Sequence, residues 1–146
     1  MNLEQTSSGL VRPMAQELSV PDLIRAVEVL KQSGQAQAVG TLFSGWIEHN
    51  ASHPLLYAVL FNYAVALSDA DELEAARQCL ERALALNADF IPAHINLGPI
   101  HERLGSVGLA LAQWSAALAR MTAVTGTAIT HKTTALNQSA RVGSGG

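Results

Sequence analysis

The feature that most constrains this chain is a match of the sequence to itself at a shift of 34 residues. Tyr63 falls on Leu97, Ala64 on Gly98, Leu67 on His101, Ala76 on Ala110, Leu80 on Trp114 and Ala83 on Ala117. Both copies lie in segments whose apolar residues recur three or four apart, which is helical spacing. A period of this length means one helix–turn–helix unit used more than once. Small residues on the first helix (Ala64, Gly98) and on the second (Ala76, Ala110) let two helix axes approach closely. Leu80 and Trp114 fill the space beside them, and Ala83 and Ala117 leave room for the next unit. One pair cannot bury both of its faces, so the pairs must stack.

An earlier unit is less regular. Val39, Phe43 and Trp46 fall at second-helix positions, but the shift from Val39 to Ala76 is 37 residues, and Trp46 stands where a small residue is usual. Ser19, Pro21 and Asp22 predict the start of a helix over 21–33, and Gly34 its end. Further helices are expected over 35–50, 54–68, 71–86, 90–104, 106–123 and 127–142. Asp71 with Glu74 three residues on predicts a reciprocal capping box. Pro99 removes an amide in mid-helix and predicts a kink. No segment alternates long enough to be a strand. The expected organisation is a flexible leader over 1–18, a repeat domain over 19–142 with about three repeats and a terminal capping helix, and a linker or cloning scar over 143–146.

Composition supports this. Of 146 residues, 49% are apolar and 14% charged, enough to fill a core. The net charge of −3 gives no general attraction to nucleic acid or to acidic membrane. Mean hydropathy is positive, which favours association through open repeat ends. Cys79 is the only cysteine, so neither an internal disulfide nor a thiolate cluster can form. The first ten residues lack the basic flank and apolar run of a secretory signal, and no apolar stretch is expected to span a membrane. The reading is a cytoplasmic protein.

The run His94-Ile-Asn-Leu-Gly-Pro-Ile-His101, followed by Gly105, Ala110, Trp114 and Ala117-Leu118, resembles a tetratricopeptide unit. That resemblance implies an all-α fold of antiparallel helix pairs stacked as a short right-handed superhelix, an α-solenoid. Ala93-His-Ile-Asn-Leu-Gly98 and Ala135-Leu-Asn-Gln138 also resemble the repeats that precede the catalytic region of bacterial SPINDLY-like O-linked N-acetylglucosamine transferases. The transferase domain itself has no counterpart in this sequence.

In a stacked array the first helices line a concave groove. Their sixth position holds Arg25, Asn62, Asn96 and Gln138, with Asn62 and Asn96 again 34 apart. The transferase resemblance implies that Asn here binds the main chain of an extended peptide, and a primary amide offers both the donor and the acceptor this needs. Arg25, Lys31 and Arg103 are the basic residues at groove positions, but Ile24, Glu28, Phe61, Val65 and Pro92 occupy others, which does not match a clamp for a C-terminal carboxylate. The expected peptide-binding face is therefore Arg25, Phe61, Asn62, Val65, Ile95, Asn96, Arg103 and Gln138.

Five histidines raise the question of a metal. His94 and His101 are seven apart at packing positions, His49 and His53 flank a turn, and no His-Glu-x-x-His run exists. There is no Gly-x-Ser-x-Gly elbow and no glycine-rich phosphate loop. The expectation is a non-catalytic interaction scaffold with no cofactor, no metal and no nucleic-acid or membrane partner, binding a peptide or a partner helix. The alternative is a self-assembling repeat module that forms homo-oligomers through its open ends.

Overall fold

The structure, a computed structural model, describes residues 15–124. A helical turn at 15–17 precedes six helices. These are α1 (Val20–Gln32), α2 (Ala36–His49), α3 (Leu56–Asp69), α4 (Leu73–Leu86), α5 (Ile91–Arg103) and α6 (Val107–Val124). The described residues contain no strand. The expected segment 127–142, Gln138 within it, most of the leader and the 143–146 tail lie outside the described residues.

The helices pair as α1/α2, α3/α4 and α5/α6. All three pairs turn in the same way. Gly34, Asp71 and Gly105 follow the ends of α1, α3 and α5 with φ of 78°, 64° and 84°. The amide one residue later bonds back to a carbonyl five residues earlier: Gln35 to Leu30, Glu72 to Leu67 and Ser106 to His101, each 2.8 Å. This left-handed closure satisfies carbonyls that a helix end would otherwise leave unpaired.

It also corrects the capping box expected at Asp71. Asp71 is the closing residue of the α3 turn, so its backbone is not available as an N-cap. Glu72 precedes α4 without a side-chain cap. The Glu74 carboxylate instead accepts from Arg77 at 3.1 Å, and Arg77 donates onward to Glu81 at 2.6 Å. At α1 the expected cap is present: Ser19 Oγ accepts from the Asp22 amide at 3.3 Å.

Packing is most extensive between α3 and α4, then between α4 and α5, while α3 and α5 touch lightly. One core cluster gathers Leu23, Val27, Phe43, Trp46, Val59 and Leu60 from the first pair and α3. A second gathers Ala64, Ala76, Leu80, Ala93, Leu97 and Ile100. The small positions inferred from the repeat are closed: Ala64, Ala76, Ala83, Ala110 and Ala117 are all buried. Gly98 is needed because a Cβ built there would collide with the Trp114 indole.

Trp46, too large for its repeat position, is also fully buried. Its indole N–H donates to the Leu18 carbonyl at 2.8 Å, and Asn50 donates to the Gln16 carbonyl at 3.1 Å. Residues 15–18, assigned above to a flexible leader, thus close the outer end of the first pair, and Leu18 packs against the core. α5 runs unbroken through Pro99, an exposed position. The 18 described residues of α6 are long and apolar enough to cross a membrane by length and composition alone, although Gln113 and Arg120 interrupt the apolar run.

Candidate peptide-binding face

The expected site residues that lie within the described range sit on the first helices α1, α3 and α5. Asn62 and Asn96 occupy equivalent half-buried positions on neighbouring helices. Asn62 Nδ2 donates to the Ala58 carbonyl of its own helix at 2.8 Å. One amide proton is therefore used internally, and Oδ1 with the second proton remains for a ligand. The Asn96 amide makes no hydrogen bond among the described residues. Val65 is half-buried beside Asn62, and Ile95 is 44% exposed beside Asn96. Pro92 and Pro99, both exposed, share this side of α5.

Three of the expected residues, Phe61, Arg103 and Arg25, have partners within the chain. Phe61 meets the edge of Phe90 at 5.3 Å, and Tyr57 meets it at 5.0 Å, so Phe61 joins an aromatic cluster where α3 meets the start of α5. Arg103 donates to Asp71, which ties the end of α5 to the turn after α3 at the rim. Arg25 pairs with Asp22 at 2.8 Å and Lys31 with Glu28 at 3.7 Å, each on α1 itself. The basic side chains of this face are thus engaged by acids of the same chain, which leaves amides and apolar groups facing outward.

Three of the described histidines make hydrogen bonds within the fold. His94 is buried, with Nε2 donating to the Ala88 carbonyl at 3.0 Å and Nδ1 2.8 Å from the Gln113 side-chain amide. His53 Nδ1 accepts from the Leu55 amide at 3.0 Å, and His49 lies 3.1 Å from the Gly45 carbonyl. No group of three or more His, Cys, Asp or Glu with metal-binding geometry occurs among the described residues.

Sequence reading missed a cleft of about 430 Å³ between the second helices α2 and α4, lined by Ser44, Ile47, Glu48, Tyr63, Cys79 and Arg82. Ser44 and Tyr63 share a hydroxyl–hydroxyl hydrogen bond of 3.2 Å. Burial pushes the Cys79 thiol pKa up, and the nearby Arg82 charge opposes this only in part. The thiol is therefore not activated for nucleophilic chemistry. The cleft forms across the 37-residue step between the first two units, where the period departs from 34.

No family model matches the sequence, and no curated protein matches it. Solved structures do. The chain superposes on the structure of MamA with a TM-score of 0.63 at 17% identity, covering 77% of this chain and 63% of that one. It superposes on the second TPR of Spaghetti (RPAP3), bound to the HSP90 peptide SRMEEVD, with a TM-score of 0.59 at 16% identity, covering 74% of this chain and 95% of that one. The chain has a tetratricopeptide-repeat fold. A further structure, the TPR2AB domain of yeast Sti1 in complex with pHSP90, gives a TM-score of 0.59 at 15% identity, with 89% and 51% coverage. The chain thus spans less than two thirds of the MamA and Sti1 structures.

Proposed function

We propose that this chain is a non-catalytic interaction scaffold that holds an extended, uncharged peptide segment across the first-helix face. The carrying observation is the pair Asn62 and Asn96, 34 residues apart in sequence and equivalent in the fold, with amide atoms left for a ligand. Val65 and Ile95 beside them offer apolar contact to alternate side chains of such a segment. One similar structure is bound to an HSP90 peptide and another is a pHSP90 complex, which supports a peptide-holding role for the fold. An acidic tail is disfavoured here, because Arg25 and Arg103 are engaged by Asp22 and Asp71. Resemblance of residues 93–98 to the repeats of O-linked N-acetylglucosamine transferases supports the finer reading that the array grips substrates for a larger glycosyltransferase. The parent reading frame tests that point, and one that encodes no glycosyltransferase domain contradicts it.

A peptide library selected on the full chain tests the groove. Changing Asn62 and Asn96 to Ala together should weaken binding by about tenfold or more, at roughly 1 kcal/mol per lost hydrogen bond, with the helical circular-dichroism signal intact. Unchanged binding removes the groove assignment, and lost helicity makes those amides structural. The exposed apolar face of α6 favours a second reading, self-assembly through that face. Seven of its large apolar residues are 37–68% exposed.

A further inference from the structure

Resting on that second reading, we propose that α6 is a homotypic interface in which two copies of this chain pair their α6 helices antiparallel about a two-fold axis. The comparison of α6 with α4, 34 residues earlier, shows what is uncovered. The inner small residues match: Ala76 and Ala110 are both fully buried, as is Ala83, with Ala117 at 4%. The outer residues do not match. Leu80 is 0% exposed because α5 closes over α4, while its counterpart Trp114 is 37% exposed. Leu84 is half-buried, and its counterpart Leu118 is 61% exposed.

The open residues form a seam. Val107, Leu111, Trp114, Leu118 and Met121 are spaced 4-3-4-3, the alternation that lets one helix seat along another. The seam also outruns the repeat. Residue 120 is the counterpart of Leu86, where α4 ends, yet α6 stays helical to Val124. A following first helix in register, 13 residues long like α5, would leave Met121 and Val124 uncovered. A second α6 matches the seam over the whole of its described length.

Charge permits the pairing. Arg120 is the single charged residue of α6. It is occupied by Asp89 at 3.3 Å and by the carbonyls of Ala88 and Ala116 at 3.0 and 3.1 Å. Two seams therefore meet without like charges opposed. A two-fold centred near Trp114 sets Leu111 against Leu118 of the partner subunit and Val107 against Met121 of the partner subunit.

Sedimentation velocity on the full chain, from low micromolar to several hundred micromolar, tests this. Expected is a concentration-dependent monomer–dimer equilibrium, weakened at least tenfold by Leu118→Glu or by Leu111→Lys with helicity unchanged. Mixing the two variants should restore association, since the antiparallel register brings the new acid onto the new base. A wild-type monomer at every concentration overturns both the interface and the self-assembly reading. Association that persists in Leu118→Glu leaves self-assembly standing and overturns this interface. A monomer whose melting temperature falls in Leu118→Glu means that residues 125–146 of the same chain cover the seam, which also overturns it. So does flotation with neutral phosphatidylcholine vesicles in place of dimer formation.

Discussion

Asp71 and Gly98 each hold a position that the surrounding backbone leaves little choice about. Asp71 closes the α3 turn at φ 64°, where its counterparts Gly34 and Gly105 pay no side-chain penalty. An L-residue in that region costs about 1–2 kcal/mol, least for Asn and Asp. The exposed pair with Arg103 returns at most ~1 kcal/mol. Asp71→Gly should therefore stabilise the protein by about 0.5–1 kcal/mol and Asp71→Ala should destabilise it, as read from urea unfolding. Alanine more stable than glycine would show that backbone conformation does not govern this site. At Gly98 the constraint is contact: the Trp114 ring occupies the space a Cβ would need. Gly98→Ala should cost roughly 1–3 kcal/mol by overpacking, and adding Trp114→Leu should recover most of it. A neutral Gly98→Ala would mean that α5 and α6 pack in another register.

At the scale of elements, the helices were legible because caps and breakers are local signals. Ser19, Gly34 and Gly105 mark boundaries that the backbone adopts. The start of α4 was misread because Asp serves equally as an N-cap and as a left-handed closing residue. Only the bond from the Glu72 amide to the Leu67 carbonyl decides between them. With the cap gone, α4 is supported on its outer face by Glu74, Arg77 and Glu81. Hydrogen bonding from Arg77 lowers the Glu74 pKa below its ordinary 4.5. A lowered folded-state pKa adds stability that is present above the unfolded value and lost as pH falls through the folded one. The melting-temperature difference between wild type and Glu74→Gln should therefore be present at pH 7 and shrink as pH falls below the ordinary carboxylate value through the lowered one. A difference that does not shrink at any acid pH would rule out this ion pair as its source.

Across the whole molecule, the 34-residue match alone implies that Asn62 and Asn96 share one face, since equivalent positions in a stack face alike. It could not show which side chains that face would keep. Arg103 reaches Asp71 32 residues away, and Phe61 turns to Phe90, both contacts that depend on how successive pairs stack. Neither the cleft between α2 and α4 nor the segment 15–18 under Trp46 follows from periodicity, because both belong to the irregular first unit. What remains open to ligand is an amide and apolar surface with its charges already paired. The most direct measurement is a nuclear magnetic resonance titration of the isotopically labelled full chain with a library-selected peptide, as the free acid and as the C-terminal amide. Expected are shifts centred on the Asn62 and Asn96 side-chain amides and equal affinity for the two forms. Shifts confined to the α2–α4 cleft, or binding lost on amidation, would contradict a scaffold that grips the peptide main chain.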